Sequence, residues 1–334
     1  MRGSGQPVWD DVTPPEDVAV LEEGTGGACD PTPDVLVVGG GIVGLAVGAF
    51  CTRAGMRVVV VERERLAHGA SGRAGGGLAP DAHPELGEDW HALAKESLAL
   101  HVSLDAEWGF GLRRADVVVG GARIPGQAHV NPLRLAAAFA RHAGVVAPGT
   151  GCIRVGSRGS RVTSVETTRG PVRPGALVYA TGTAPEPVAS ACRELVKGHL
   201  IATEPAPFDL DDIVGDGEIY VAQIAGGRLI GGGTKERDPS PEVDEDVVAL
   251  IERRMEELVP GAGKPALTHA WTCFRPRPPD GRPVIDGIPG LDNAWVAAGF
   301  YSTGLLMAPV AGRLIASWVA GERPAELRPF AVRA

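Results

Sequence analysis

Three glycines, Gly39, Gly41 and Gly44, follow the apolar run 35–38 at the spacing G-x-G-x-x-G. In this motif the first glycine permits a tight turn, the second lets backbone approach a pyrophosphate, and the third lets a helix pack closely on a strand. The next helix N-terminus supplies N–H groups to phosphates, and Glu62, which ends the following apolar run, can accept hydrogen bonds from ribose hydroxyls. The pattern predicts a dinucleotide site with an unphosphorylated ribose, FAD or NAD over NADP. The alternative is a glycine-rich turn with a packing helix.

A second stretch of small residues occupies positions 69–80 with the sequence GASGRAGGGLAP. Small side chains would let the main chain lie against a flat ring and a phosphate. The alternative is a flexible loop.

Together the two stretches resemble the FAD-binding amine oxidases that include D-amino-acid oxidase, sarcosine oxidase and, most closely, glycine oxidase. The resemblance covers most of 34–330 and is strongest in 274–283 (FRPRPPDGRP) and 297–309. It implies FAD as cofactor and oxidation of a C–N bond in a small amine or amino acid by hydride transfer to flavin. Imine hydrolysis and reoxidation by oxygen to hydrogen peroxide would follow. The alternatives are an FAD-dependent hydroxy-acid dehydrogenase and a flavin-bearing subunit of a larger complex.

The motif and the resemblance imply a set of cofactor-binding residues. In the family, backbone N–H groups before the last helix meet the pyrimidine edge of the flavin, which places Ser302, Thr303 and Gly304 there; an ordinary helix cap is the alternative. Arg73 is either a flavin-side contact or a surface charge. The predicted set is Gly39, Gly41, Ile42, Val43, Gly44, Glu62, Arg63, Ser71, Arg73, Ala74, Gly76, Gly77, Cys152, Thr181, Gly182, Ser302, Thr303, Gly304 and Leu305.

Three residues are predicted to act on the substrate. The resemblance places Arg275 where the family pairs an arginine with the substrate carboxylate, and a planar guanidinium binds a carboxylate through two parallel hydrogen bonds. Tyr220 occupies the place of an active-site tyrosine, or else is a core aromatic. Lys235 replaces an apolar residue that lines the glycine oxidase pocket, so substrate preference does not transfer; an exposed surface lysine is the alternative.

Cysteine and histidine usage bounds the remaining chemistry. The five cysteines are scattered without a C-x-x-C pair, and the eight histidines lack metal-ligand spacing, so no metal site is predicted. Cys273 stands where the sarcosine-oxidase branch attaches flavin covalently. Its neighbours resemble the glycine-oxidase branch, which favours a free, buried thiol.

The elements that must position these residues begin with strand, turn, helix and strand over 34–62. Helices are expected near 88–101, 132–143, 243–258 and 305–319, and a small β-meander over 160–180 that ends in the strand 176–180. The predicted fold class is α/β, a FAD-binding Rossmann-like domain with a second, smaller antiparallel-sheet substrate domain. The FAD domain is assigned 34–101, 127–192 and 268–334, the shortened substrate domain 102–126 and 193–267, and a flexible tail 1–33.

The segment 113–131 is shorter than the family's usual insert, which predicts a wider mouth over the substrate. A larger amine, a peptide terminus or a carrier-tethered aminoacyl group would then react better than glycine, unless the tail or a second subunit closes the opening. A homo-oligomer or a partner subunit is therefore an open expectation.

Composition excludes several partners. The 334-residue chain has a net charge of −9 and a pI near 5.4, which argues against nucleic acid. Its longest apolar run, 35–51, is too short and too glycine-rich to span a membrane, and no signal peptide is visible. A cytoplasmic location is expected.

Overall fold

The computed structural model describes residues 5–27, 29–186 and 188–332. The helices within this part are α1 (Trp9–Val12), α2 (Pro15–Glu23), α3 (Ile42–Arg53), α4 (Glu88–Trp108), α5 (Pro132–His142), α6 (Glu245–Leu258) and α7 (Gly304–Val319). The strands are β1 (Val35–Val38), β2 (Val58–Val61), β3 (Gly77–Leu78), β4 (Arg113–Val119), β5 (Ala122–His129), β6 (Val145–Ala147), β7 (Cys152–Arg158), β8 (Arg161–Thr167), β9 (Gly170–Val172), β10 (Ala176–Gly182), β11 (Glu194–Pro205), β12 (Ile213–Gly215), β13 (Tyr220–Gln223), β14 (Arg228–Gly232), β15 (Leu267–Arg277), β16 (Val284–Gly287) and β17 (Ala294–Ala298).

A six-stranded sheet carries the glycine motif. Its order is β16-β17-β10-β1-β2-β6, and β1 pairs in parallel with both β2 and β10. Strands β1 and β2 read VLVV and VVVV, and every residue in them is buried. Such continuous aliphatic runs suit a parallel sheet that is covered on both faces. Helix α3 covers one face, and the small sheet β7-β8-β9 covers the other.

The strand at 176–180 has a different partner from the one predicted. The meander ends at β9, whereas β10 enters the parallel sheet with Ala176 opposite Val35. Chain proximity suggested the meander, but a strand whose run is mostly buried is more stable between two buried parallel neighbours, β1 and β17.

A second sheet of eight strands has the order β15-β11-β14-β13-β12-β4-β5-β3. Its pairs are antiparallel apart from β12 with β4. Helix α6 packs on it through Val248, Ile251 and Met255. The predicted α/β class with a second antiparallel sheet is confirmed. The domain limits at 102 and 127 fall inside α4 and β5, because neither element breaks there, and the domain division stays a prediction.

The N-terminal segment is not the flexible tail that its composition suggested. Trp9 is buried and its Nε1 donates to the carbonyl of Ala74 at 2.8 Å. Asp17 is buried too, and its carboxylate lies 2.6 Å from Nη1 of Arg141 on α5. Helices α1 and α2 therefore belong to the folded body because they bury side chains that the polar composition concealed. The part of the prediction covering residues 1–4 and 28 lies outside the described residues.

A proline inside α7 is compensated by α4. Pro309 has no N–H to donate to the carbonyl of Leu305. Nε2 of His101 lies 2.9 Å from that carbonyl, and because a carbonyl only accepts, Nε2 carries the proton. On the same helix, Ser97 accepts a hydrogen bond from Val310 N at 3.2 Å. The first turns of α7 are thus held from α4. None of the helices in the described part of the chain has the length and apolarity to cross a membrane.

Burial sets the pH range in which this contact is stable. It lowers the pKa of His101 to about 4, and it lowers that of the buried His129 to about 4 as well. The unfolded chain then binds protons more readily than the folded one, so stability is lost as the pH falls from about 6.5 towards 4. We expect each histidine to contribute a slope approaching about 1.4 kcal/mol per pH unit in this window.

Urea unfolding at pH 7, 6 and 5 checks this. His101→Gln should unfold with a shallower pH dependence than the wild type. Equal slopes in His101→Gln and the wild type would show that His101 is not held neutral by the fold.

Candidate functional site

A cavity of about 1180 Å³ lies between the two sheets. One wall is made by residues that lie one or two positions beyond the carboxyl ends of β1, β2, β10 and β17, namely Gly39, Glu62, Thr183 and Phe300. In parallel α/β sheets ligands bind at this edge. The opposite wall comes from the eight-stranded sheet, with Val117, Ile213, Tyr220 and Arg275.

The glycines of the first motif divide into two roles. A Cβ at Gly44 would lie 1.9 Å from the carbonyl oxygen of Gly39, so Gly44 is needed where α3 packs on its own turn. It does not line the cavity, and this packing is the role that the motif predicts for its third glycine; its place in the cofactor-binding set stays a prediction. Gly41 does line the cavity, and a Cβ there would meet only Ser71 Oγ, at 3.3 Å. Backbone at Gly41 is therefore open to close approach.

Two side chains hold the motif in place. Ser71 Oγ accepts from Ile42 N at 3.0 Å, in the first turn of α3. The Glu62 carboxylate accepts from Gly40 N at 2.7 Å and from Glu64 N at 3.0 Å. Each carboxylate oxygen has two acceptor sites, so Glu62 keeps capacity for ribose hydroxyls while it anchors the turn.

The second small-residue stretch is anchored by three consecutive carbonyls. Arg73 O accepts from Trp271 Nε1 at 3.0 Å, Ala74 O from Trp9 Nε1 at 2.8 Å, and Gly75 O lies 2.8 Å from Nε2 of His129. Within this stretch Ser71, Ala74, Gly76 and Gly77 line the cavity. The stretch is thus a supported wall, unlike the flexible-loop alternative.

Arg73 departs from its predicted role. It does not line the cavity, and its Nη1 donates to the carbonyls of Gly5 at 3.1 Å and Thr272 at 3.2 Å. The guanidinium instead ties the N-terminal segment to β15.

The remaining predicted cofactor residues all line the cavity. Thr303 Oγ1 donates to Phe300 O at 2.8 Å, so this side chain does not cap α7 and leaves the N–H groups of its first turn to other acceptors. Besides those already named, the predicted cofactor residues that line the cavity are Ile42, Val43, Arg63, Cys152, Thr181, Gly182, Ser302, Thr303, Gly304 and Leu305.

Arg275 on β15 is held without a carboxylate partner in the described part of the chain. Its Nη2 donates to Thr234 O and, at 3.3 Å, to Lys197 O. Its Cζ lies 5.5 Å from the ring centroid of Tyr301. Within the described residues its buried Nε has no hydrogen-bond partner. The guanidinium is oriented at the cavity wall with donor capacity left over.

Tyr220 and Lys235 line the same cavity. Burial raises the pKa of Tyr220 well above its usual range, and the nearby charge of Arg275 opposes this only in part, so the hydroxyl is a neutral donor. Lys235 is exposed and directly follows Thr234, the residue that Arg275 contacts. All three predicted substrate residues therefore converge on one chamber.

Sequence reasoning missed three further residues. Gly198 leaves no room for a side chain, because a Cβ would lie 2.1 Å from Arg275 Nη2. Tyr301, stacked on Arg275, adopts a φ of 47°, unusual for a non-glycine residue. Thr150 lines the cavity with a buried Oγ1 that has no partner among the described residues. The glycines around Tyr301 were the one signal available.

The residues present fit a dinucleotide with a flat ring. Unpartnered buried polar atoms on Thr150 and Arg275, an open backbone at Gly41, and two helix N-termini all face one chamber. Helices α1 and α2 do not line it, so these two helices do not close the predicted wide mouth. Within the described residues no group of three or more His, Cys, Asp or Glu side chains could hold a metal.

Comparison with known proteins decides the cofactor. A family model described as FAD dependent oxidoreductase matches residues 34–119 and 112–318. The chain belongs to this FAD-dependent oxidoreductase family. The predicted family resemblance and the FAD cofactor are confirmed.

Individual relatives agree. The chain is 27% identical to a glycine oxidase of Pseudomonas aeruginosa, over 87% of this chain and 95% of that protein. It is 30% identical to a D-amino acid dehydrogenase of Methylobacterium sp., over 72% of this chain and 61% of that protein. The crystal structure of glycine oxidase from Geobacillus kaustophilus superposes with a TM-score of 0.81 at 25% identity, over 90% of this chain and 98% of that one. These relatives favour the predicted amine or amino-acid oxidation over the hydroxy-acid alternative.

Gly41→Val tests the phosphate-binding backbone. The added Cβ would meet only Ser71 Oγ, at 3.3 Å, so Ser71 must shift slightly and the flavin-free chain should fold with a modestly lower melting temperature. Overpacking against a bound pyrophosphate should weaken FAD binding about 10- to 100-fold, and Gly41→Ala less. Equilibrium dialysis against FAD measures this. Wild-type affinity in Gly41→Val would contradict the assignment of this backbone to the pyrophosphate.

Cys273 should leave the flavin non-covalently bound. Its side chain is buried, and burial raises the pKa of the thiol although the charges of Arg275 and Arg73 oppose the shift. The thiolate, which is the nucleophile, is therefore disfavoured. Acid precipitation should give a colourless pellet and a yellow supernatant, and Cys273→Ser should retain stoichiometric FAD. A yellow pellet would refute this prediction.

Proposed function

We propose that the chain oxidises the C–N bond of a small amino acid whose carboxylate is bound by Arg275. The observation that carries the proposal is the Arg275 guanidinium itself: it lies at the cavity wall, has no carboxylate partner in the described residues, and keeps a buried Nε free of protein contacts. Arg275 is half-buried, and a carboxylate would supply the acceptor that its buried Nε lacks among the described residues.

Arg275 would act as a rigid clamp. Its Nη2 is occupied by the Thr234 and Lys197 carbonyls and its plane lies near the Tyr301 ring, so little rotational freedom remains to be lost on binding. Nη1 and Nε remain for a carboxylate, but Nε–H shares its edge of the guanidinium with Nη2, so these two groups point to different sides. The carboxylate would therefore accept one charge-assisted hydrogen bond from Arg275, and a second donor would be needed to set the angle at which the α-carbon faces the chamber.

Tyr220 would complete the carboxylate site. Its phenol is neutral over the physiological range, so it donates a hydrogen bond without adding charge. A donor beside a guanidinium orients the carboxylate more narrowly than either group alone.

The cofactor would be held by the Gly41 backbone, Glu62, and the start of α7. When bound, FAD supplies the acceptor for the electron pair and hydrogen that leave the C–N bond. The chain's part is to hold the substrate carbon at the ring and to limit water access through the walls of the chamber. The imine product would hydrolyse in water to the oxo acid and ammonia or an amine.

The final electron acceptor needs its own test, because both an oxidase and a dehydrogenase are among the relatives. We propose oxygen. Purified holoenzyme turning over an amino acid in an oxygen electrode should consume oxygen and release hydrogen peroxide. Turnover with an artificial dye but no oxygen consumption would assign another acceptor.

Arg275→Met should lower kcat/KM for amino acids on the order of 100-fold, from loss of a desolvated charge pair, while FAD content stays stoichiometric. Arg275→Lys should recover part of this loss because it keeps the charge but not the planar fork. Steady-state kinetics with a panel of amino acids and flavin absorbance on the same samples provide the measurement.

Arg277→Met is the matched control. Arg277 also lies near Tyr301, with Cζ 5.7 Å from the ring centroid, but it pairs with Glu194 and does not line the cavity. It should leave kcat/KM within about threefold, as expected for a partly exposed ion pair. If Arg275→Met behaved like Arg277→Met, the clamp assignment would be wrong.

A further inference from the structure

A second cation stands at the substrate end of the cavity. Lys235 directly follows Thr234, whose carbonyl accepts from Arg275, and both cationic side chains line the chamber. Within the described residues Lys235, like Arg275, has no ion-pair partner within 4 Å. Two positive charges that line one cavity repel each other, so an anion is the expected counterpart.

Some of the carboxylates that line the cavity are engaged elsewhere. Asp81 lies 3.0 Å from Lys95 Nζ. Glu85 lies 3.4 Å from Nδ1 of His83, but burial lowers the pKa of that imidazole, so Glu85 keeps its charge and is a rival partner for Lys235. Glu62 accepts from two backbone amides. Glu64 and Glu218 also line the cavity and are exposed, and Glu218, on the turn before β13, is a further rival partner for Lys235.

Strand geometry explains why Lys235 faces the cavity. Residues alternate between faces along extended chain. On β11, Gly198 faces the cavity, whereas Lys197 and His199 are buried on the other face. There Lys197 Nζ pairs with Asp238 at 2.6 Å. His199 Nδ1 pairs with Glu236 at 2.9 Å.

The loop that carries Lys235 is held by these same contacts. Glu236 forms a two-way backbone bridge with Lys197, with N···O distances of 3.0 and 2.8 Å. His199 N donates to Thr234 Oγ1 at 2.7 Å, and Asp244 N donates to His199 Nε2 at 3.0 Å. The nearby acidic side chains, Glu236 and Asp238, pair with His199 and Lys197 on the face of β11 that is turned away from the cavity. Lys235 lines the cavity from the loop that these contacts hold.

We infer that Lys235 and Arg275 form a two-cation site for an amino acid with a second carboxylate. Arg275 takes the α-carboxylate and Lys235 takes the carboxylate of the side chain or of an N-substituent. This inference rests on the proposed function and narrows its substrate class to acidic amino acids. The −9 net charge of the chain makes such a local concentration of positive charge stand out against its surroundings.

The test uses holoenzyme and matched substrate pairs that differ only in charge. Both enantiomers of aspartate and asparagine, and of glutamate and glutamine, are assayed for kcat/KM. The wild type should prefer the acidic member of a pair by about tenfold, chiefly through KM, because Lys235 is exposed and its contact is screened. The preference should shrink as salt is raised from 50 to 500 mM.

Variants separate Lys235 from other charges. Lys235→Met should abolish the preference, and Lys235→Glu should reverse it. Lys264→Met, an exposed lysine that does not line the cavity, should change nothing. A preference that appears only in Glu218→Gln would mean that Glu218 neutralises Lys235 in the wild type, and it would overturn the inference, as would a wild type with no preference.

Binding of non-oxidisable acids gives a readout without turnover. Calorimetry of the FAD-loaded protein should show glutarate binding about tenfold more tightly than butyrate, with the difference lost in Lys235→Met. If no amino acid is oxidised but glutarate still binds through Lys235, the proposed function fails and the two-cation site stands. If amino acids are oxidised and the two acids bind equally, the two-cation site fails and the proposed function stands.

Discussion

The close approach of β11 to β15 at Gly198 is the constraint on which the substrate end of the cavity depends. A side chain at Gly198 would occupy the place of the Arg275 guanidinium, 2.1 Å from Nη2 and 2.5 Å from Thr234 O. Because residue 198 has no side chain, the Arg275 guanidinium has room to donate to the Thr234 carbonyl, and this hydrogen bond fixes its orientation. The same contact places Thr234, and so the loop that continues to Lys235. One missing side chain therefore positions both cations.

The cofactor end depends on a comparable long-range constraint. The three carbonyls at 73–75 are bound by side chains of Trp271, Trp9 and His129, which come from β15, α1 and β5. Each of these groups is buried, so each hydrogen bond forms away from competing water. A glycine-rich stretch has little intrinsic stiffness, and these anchors make it a wall. The N-terminal segment is thereby part of the scaffold of the site.

Local signals in the sequence predicted the parts of the molecule whose physics is local. The glycine motif, the valine-rich strands and the amphipathic helix α6 each carry a short-range pattern, and each appears where the pattern placed it. The errors share another cause. The place of β10 beside β1, the burial of Trp9 and the inward pairing of Arg73 all depend on partners more than 60 residues away. The spacing of residues within one segment does not reveal such a contact. The roles of Gly198 and Thr150 in the site also depend on residues far away in the sequence.

Burial, as well as residue type, decides which titratable side chains of the cavity carry a charge. Burial lowers the pKa of His83 and the charge of Lys235 lowers it further, although Glu85 opposes both effects. Burial also lowers the pKa of His129 to about 4 and raises the pKa of Tyr220, so the imidazole and the phenol are both neutral near pH 7. Among the described residues at the substrate end, the positively charged side chains are Arg275 and Lys235. The guanidinium is held by hydrogen bonds, whereas the ammonium stands on a flexible stem. The rigid cation suits the carboxylate that every amino acid shares, because its geometry sets the reacting carbon. The flexible one suits a group whose distance varies between substrates.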